Sequence, residues 1–268
     1  MKKITLTKKD AIYLSIIATL ILAVIGVGLV LGIEPKKDAG ALFQEYYDNK
    51  CASYSVQNAN LSKGQIVFVG DSITDLCPLD DYYADLPLAS YNRGIGGDTT
   101  TGVLNRLKLS VYDLEPSKMV LLIGINDLLG GGRDVDSTAR DYAKIIDEVQ
   151  ENLPNTEIYC ISIIPVNRTL EQAGFNVDEC RAKIMSLNDK IVSISQEKGV
   201  EYVNIYDALL DQNGLLDARY TDDGLHLNAN GFAVWSGILK PTSLWSSLKM
   251  FLREGGGSTP FFTEKHIP

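Results

Sequence analysis

The feature that most constrains this chain is an alternation of short strand-like runs with stretches of helical periodicity. The runs are 66–69, 89–92, 119–123, 158–164 and 202–205. Short β-rich runs separated by helices pair in parallel and are buried on both faces. The pattern therefore predicts an α/β domain with a five-stranded parallel sheet and helices on each side. Two intervening stretches carry core-facing helical stripes. One is Tyr142, Ile145, Ile146, Val149 and Leu153, behind a cap expected at Ser137. The other is Cys180, Ile184, Leu187, Ile191 and Ile194. A last core helix is expected from Ala229 to Leu239, ahead of Pro241. The compact domain is thus expected over 63–240.

Outside it the chain changes character. Residues 11–33 hold no charge and would span about 34 Å as a helix, against a bilayer core of about 30 Å. Lys2, Lys3, Lys8 and Lys9 precede the run, which puts residues 1–10 in the cytoplasm and the body outside. A cleaved signal peptide is the rival. It should have a shorter apolar region and a small-x-small site, and the best match here, Val30-Leu31-Gly32, is poor. The expectation is an uncleaved single-pass membrane anchor. Gly28 and Gly32 could seat a weak membrane dimer, although glycine is common in membrane helices on other grounds. Residues 34–62 read as a linker and a leading helix or stalk. Residues 241–268 carry a short apolar stripe (Leu244, Trp245, Leu248, Phe251, Leu252) and then a glycine-rich tail expected to be partly disordered.

Charge narrows the partners. Residues 1–37 hold six Lys against Asp10 and Glu34, a net of +4, which leaves −13 for the remainder of a chain whose total is −9. An acidic body argues against a nucleic-acid partner, because phosphate binding needs concentrated Lys and Arg. The four cysteines form no Cys-x-x-Cys pair and have no histidine nearby, which argues against a zinc site. Cys160 lies inside a strand and reads as a core thiol, while a Cys51–Cys77 disulfide stays open for an oxidising compartment.

Four short segments carry the chemistry. Gly70-Asp71-Ser72-Ile73-Thr74 follows the first strand and sets a serine at its carboxyl end, where open parallel sheets bind ligands. Thr74 stands where the nucleophile elbow Gly-x-Ser-x-Gly would need glycine, which argues against the α/β-hydrolase fold. Gly94-Ile95-Gly96-Gly97-Asp98 is not a dinucleotide fingerprint, since the third glycine position is Thr99. It reads as a tight turn, capped by Asp98, opening a helix over 99–107. Gly124-Ile125-Asn126-Asp127 places an amide beside the same strand ends. Asp223-Gly224-Leu225-His226 sets a carboxylate three residues before an imidazole, close enough to bind Nδ1 and leave Nε2 free. The other histidine, His266, lies near the end of the glycine-rich tail, so a serine–histidine enzyme built on this chain has His226 as its base.

Together these residues describe acyl transfer. Ser72 is the expected nucleophile, His226 the base and Asp223 the acid that orients it. The backbone N–H groups of Ser72 and Gly97 and the Asn126 side chain are the expected oxyanion donors. No metal or organic cofactor is needed. The order of the segments resembles the SGNH, or GDSL-type, hydrolases over roughly residues 65–240. The four signature letters fall on Ser72, Gly97, Asn126 and His226. The stretch from Tyr91 to Thr100 is most similar to the branch of platelet-activating-factor acetylhydrolase subunits and lysophospholipase-like esterases. The resemblance implies a flavodoxin-like three-layer sandwich of strand order 2-1-3-4-5. The expected function is a membrane-anchored serine esterase acting outside the cytoplasm on short acyl groups, O-acetyl above all, of glycans or lipids. The alternatives are a lysophospholipase- or thioesterase-like lipid hydrolase, a sugar acyltransferase using the same residues, and a non-catalytic acyl-glycan binding protein.

Overall fold

A computed structural model describes residues 39–130 and 132–240. The expected anchor at 11–33, the Gly28/Gly32 pair, the 241–268 segment and His266 lie outside the described residues. Among the described residues, no helix is long and apolar enough to cross a membrane.

Helix α1 (Ala39–Asn58) leads into β1 (Ile66–Gly70), α2 (Ser72–Asp75), α3 (Leu79–Tyr83) and β2 (Ser90–Gly94). Helices α4 (Thr100–Asn105) and α5 (Leu107–Ser110) then precede β3 (Lys118–Leu122), α6 (Ile125–Leu129), α7 (Val135–Asn152) and β4 (Glu157–Ile161). Helix α8 (Val177–Lys198), β5 (Glu201–Val203) and α9 (Ala229–Leu239) complete the domain. The sheet is wholly parallel with order β2-β1-β3-β4-β5, as the resemblance implied. Its central strands β1 and β3 are buried along their whole length, which is why they read as continuous apolar runs.

The crossovers explain the layers. Connections from β2 to β3, β3 to β4 and β4 to β5 all step the same way, so a right-handed crossover lays α4, α7 and α8 on one face. The β1–β2 connection steps the other way and lays α3 on the opposite face. There Tyr83 stacks on Phe68 of β1 at 5.5 Å, and Tyr82 donates its hydroxyl to Ala229 O at the start of α9. The reversal falls between β1 and β3, so the segments that leave these strands diverge and open a crevice at their carboxyl ends.

Two expected caps move by a few residues. Helix α7 begins after Asp134, whose carboxylate accepts from the Ser137 N–H, so Ser137 receives the cap rather than providing it. The N-cap of α4 is Thr99, which accepts from the Gly102 N–H, and the helix expected over 99–107 breaks at Arg106 into α4 and α5. Asp98 is freed from capping for an interior ion pair described below. All four cysteines are free thiols, with Cys77, Cys160 and Cys180 buried, so no Cys51–Cys77 bridge is present.

Candidate active site

The crevice is lined by the loops that leave β1, β2 and β3. Gly70 ends β1 where a Cβ would come within 2.3 Å of Leu122 O on the neighbouring strand, so this backbone approach demands glycine. Asp71 turns the chain by accepting from the Ile73 N–H at 2.9 Å, which caps α2 and presents Ser72 as its first residue. Gly124, with φ of +131°, makes the corresponding turn after β3 and delivers Asn126.

The sequence brings its third group from far away. Ser72 Oγ lies 2.8 Å from His226 Nε2 across 154 residues of chain. His226 Nδ1 lies 2.6 Å from Asp223 Oδ2, and the second carboxylate oxygen accepts from the Leu225 and His226 backbone N–H groups at 2.9 and 2.8 Å. An ionised carboxylate accepts and never donates, so the ring carries its proton on Nδ1 and turns a lone pair on Nε2 to the serine hydroxyl. Burial pushes the Asp223 carboxyl up, but the bonds from the His226 ring and backbone and from Leu225 outweigh it and hold the group at about 2. The loop that carries this pair is braced by residues the sequence did not single out. Gly224, with φ of +89°, donates to Thr221 Oγ1 at 2.8 Å, and its carbonyl accepts from Asn167 N–H at 2.9 Å.

The expected oxyanion donors come from three separate loops. Gly97 sits in a turn closed by Asp98 N–H to Ile95 O at 3.1 Å, and its φ of +77° at the third position is the type II pattern. Asn126 donates from Nδ2 to Asp98 O at 2.9 Å, which ties the β3 loop to that turn and leaves the second amide hydrogen for another acceptor. The backbone N–H groups of Ser72 and Gly97 have no protein acceptor among the described residues.

Beneath the site lies a buried polar layer that sequence reasoning missed. Arg106 donates to Asp98 Oδ2 at 2.7 Å, Gly70 O at 2.9 Å, Arg93 O at 2.8 Å and Ser110 Oγ at 2.7 Å, and so ties the ends of β1 and β2 to the Gly97 turn. Asp127 accepts from Thr100 N–H and Oγ1 at 2.9 and 2.7 Å and holds α4 to the β3 loop. Burial raises both carboxyls, partly offset by Arg106 at Asp98 and by Thr100 at Asp127. Asp71 is the extreme case. Its full burial, only partly offset by the Ile73 N–H, pushes it up to about 7, and its Oδ2 has no hydrogen-bond partner among the described residues.

A histidine-activated serine beside unpaired backbone donors is equipped to attack a carbonyl carbon and receive the oxyanion. Residues 68–234 match the family model of the GDSL-like lipase/acylhydrolases, which is more than half of the chain. The chain belongs to that family. It is a carboxylic ester hydrolase of the SGNH type. It is 27% identical over 172 residues to the alpha2 subunit of platelet-activating factor acetylhydrolase IB from Rattus norvegicus, covering 63% of this chain and 71% of that subunit. A solved Streptococcus pneumoniae protein described as a platelet activating factor superposes with a TM-score of 0.68 at 32% identity, over 74% of this chain and 92% of that one. An acetylxylan esterase from Geobacillus stearothermophilus shares the fold with a TM-score of 0.54 at 18% identity, over 66% of this chain and 93% of its own.

Proposed function

We propose that this family member is a membrane-tethered serine esterase that works outside the cytoplasm and removes short acyl groups, O-acetyl foremost, from glycans or lipids. The observation that carries the chemistry is the unbroken line from Asp223 Oδ2 through the His226 ring to Ser72 Oγ. His226 Nε2 takes the Ser72 proton as Oγ bonds to the ester carbonyl carbon and the carbonyl π pair moves onto oxygen. The Ser72 and Gly97 N–H groups and the Asn126 amide receive that oxyanion. Its collapse breaks the bond to the leaving alkoxide, which takes the proton from His226. Water then repeats the sequence on the acyl-serine, with His226 again as base, and releases the acid and Ser72. Asp223 stays ionised throughout and balances the imidazolium.

Short acyl groups are supported by the acetyl esters in the names of the rat relative and the Geobacillus fold neighbour. The tether is supported by the uncharged run at 11–33 and the lysines before it. Helix α1 starts at Ala39, and its Phe43 lies against Gly97 at the site. A span ending at residue 33 would leave only residues 34–38 as a connector, at most about 18 Å of extended chain, so esters at the membrane surface would be within reach.

The test uses the full chain in detergent, with p-nitrophenyl acetate, butyrate and octanoate and a fluorophosphonate label located by mass spectrometry. Label on Ser72 and acetate turnover, both lost in Ser72→Ala, are expected. Preference for octanoate would replace the short-acyl reading with the lipid-hydrolase one, and a folded chain without label or turnover would leave the acyl-glycan binding reading. Resistance to alkaline carbonate extraction, with the domain open to external protease, checks the tether. Crosslinking of wild type against Gly28→Leu checks a membrane dimer at Gly28/Gly32.

A further inference from the structure

Helix α1 lies outside the matched family region of residues 68–234 and has no apolar stripe, yet it is docked along its length. Its docking face is polar and aromatic, with Phe43, Tyr46, Lys50, Tyr54 and Asn58 spaced by three or four residues and Tyr47 beside them. Lys50 Nζ binds Asp75 Oδ1 at 2.5 Å, Tyr47 donates to Gly102 O at 3.1 Å, Tyr54 donates to Gly94 O, and Asn58 donates to Leu109 O at 2.8 Å. Phe43 covers the face of Gly97, where a Cβ would stand 2.6 Å from its ring.

Tyr46 differs from the rest because its hydroxyl joins two parts of the site. It donates to Asp75 Oδ2 at 2.6 Å and accepts from the Gly96 N–H at 3.1 Å, and it is nine-tenths buried. Asp75 closes the single turn of α2 that Ser72 opens, and Gly96 is the residue before Gly97. One oxygen atom therefore links the helix that carries the Ser72 N–H to the turn that carries the Gly97 N–H.

We infer that Tyr46 is a positioning residue of the oxyanion site, which sets the separation and aim of the Ser72 and Gly97 N–H donors from a helix outside the matched family region. The inference rests on the esterase reading above. Without the hydroxyl, the Gly96 N–H loses its acceptor and the Ile95–Gly96 peptide can rotate, which shifts the next peptide, the one that carries the Gly97 N–H, while Asp75 keeps Lys50 and α1 keeps its other anchors. The ground state loses little, because the oxyanion that these donors receive develops only in the transition state. The transition state loses donor alignment, and a misplacement of about 1 Å can cost as much as about 10²-fold.

The test compares Tyr46→Phe with Tyr54→Phe in the full-length chain. Tyr54 makes the same kind of phenol-to-backbone bond from the same helix, but to Gly94 at the end of β2 rather than to the turn. For p-nitrophenyl acetate, Tyr46→Phe is expected to lower kcat by about 10- to 100-fold with KM within about twofold. The second-order rate of fluorophosphonate labelling at Ser72 should fall in step. Tyr54→Phe is expected to lower the melting temperature and keep kcat. A Tyr46→Phe kcat within twofold of wild type, a loss expressed in KM, or an equal loss of kcat in Tyr54→Phe would each overturn the inference. Those results leave wild-type labelling and turnover intact, whereas a wild type that does neither overturns the esterase reading along with this one.

Discussion

Replacing Arg106 with Met tests the buried layer under the site. The guanidinium is 3% exposed and its partner Asp98 2%, so both charges are out of water. Met fills a similar volume but removes the charge and every donor. Gly70 O keeps a second donor, the Ile95 N–H, and Asp98 keeps the Thr99 N–H at 2.8 Å. The main loss is therefore the counter-charge of a buried carboxylate, which costs about 3–5 kcal/mol. For a domain of this size that lowers the melting temperature by about 6–20 °C. The cost depends on pH, and its sign follows from linkage. Without Arg106 the folded-state Asp98 carboxyl rises further above its unfolded value, so the native state holds a proton that the unfolded state has lost. Stability then falls as pH rises above the unfolded value near 3.9, and the deficit against wild type is larger at pH 8 than at pH 5. Urea denaturation followed by circular dichroism at both pH values measures it. Adding Asp98→Asn removes the stranded charge and should restore at least about 2 kcal/mol of the deficit at pH 8. A single-variant deficit below about 1 kcal/mol at pH 8, or a double variant no more stable than the single, would refute the argument, since either means that Asp98 never depended on Arg106.

Asp223→Asn leaves the loop in place but permits the wrong imidazole tautomer, so kcat on p-nitrophenyl acetate is expected to fall by about 10⁴-fold, and a fall below tenfold would remove Asp223 from its role. Asn126→Ala should cost about 10²–10³ in kcat, and full activity would end its assignment as an oxyanion donor. The Asp71 carboxyl, raised to about 7, makes stability fall as pH climbs from about 4 to 7, by an upper limit of about 4 kcal/mol. Asp98 and Asp127 act in the same direction, so Asp71→Asn should flatten that slope rather than abolish it; an unchanged slope in urea titrations refutes the assignment. Gly94→Ala should destabilise more than Gly97→Ala, because its Cβ would meet the Asp75 backbone nitrogen at 2.2 Å, whereas at Gly97 a side-chain ring can move; the reverse order of melting temperatures would count against this backbone approach.

What could be read from the letters, and what could not, divides along a physical line. The strands were legible because β1 and β3 are buried on both faces and advertise it as unbroken apolar runs, and the end of α9 because a proline follows it in the sequence. Ser72, His226 and Asp223 were legible because their chemistry restricts residue type so tightly that few alternatives remain in a chain with two histidines. The polar interior left no such mark. Arg106 sits among ordinary helix residues, and only the three-dimensional convergence of Gly70 O, Arg93 O and Asp98 gives it a purpose. Helix α1 was hardest. Stripe reading looks for apolar periodicity, and this helix docks through tyrosine hydroxyls and a lysine, so its face at 43, 46, 50, 54 and 58 resembles a solvated stalk. A phenol can bury its ring and still bridge a carboxylate and a backbone N–H, which makes tyrosine at helical spacing ambiguous between exposed and docked. The ambiguity matters most where the docking partner is a glycine-rich turn such as Ile95–Asp98. Gly96 and Gly97 have no side chains with which to fix themselves, so a residue that holds their N–H groups has to come from elsewhere in the chain.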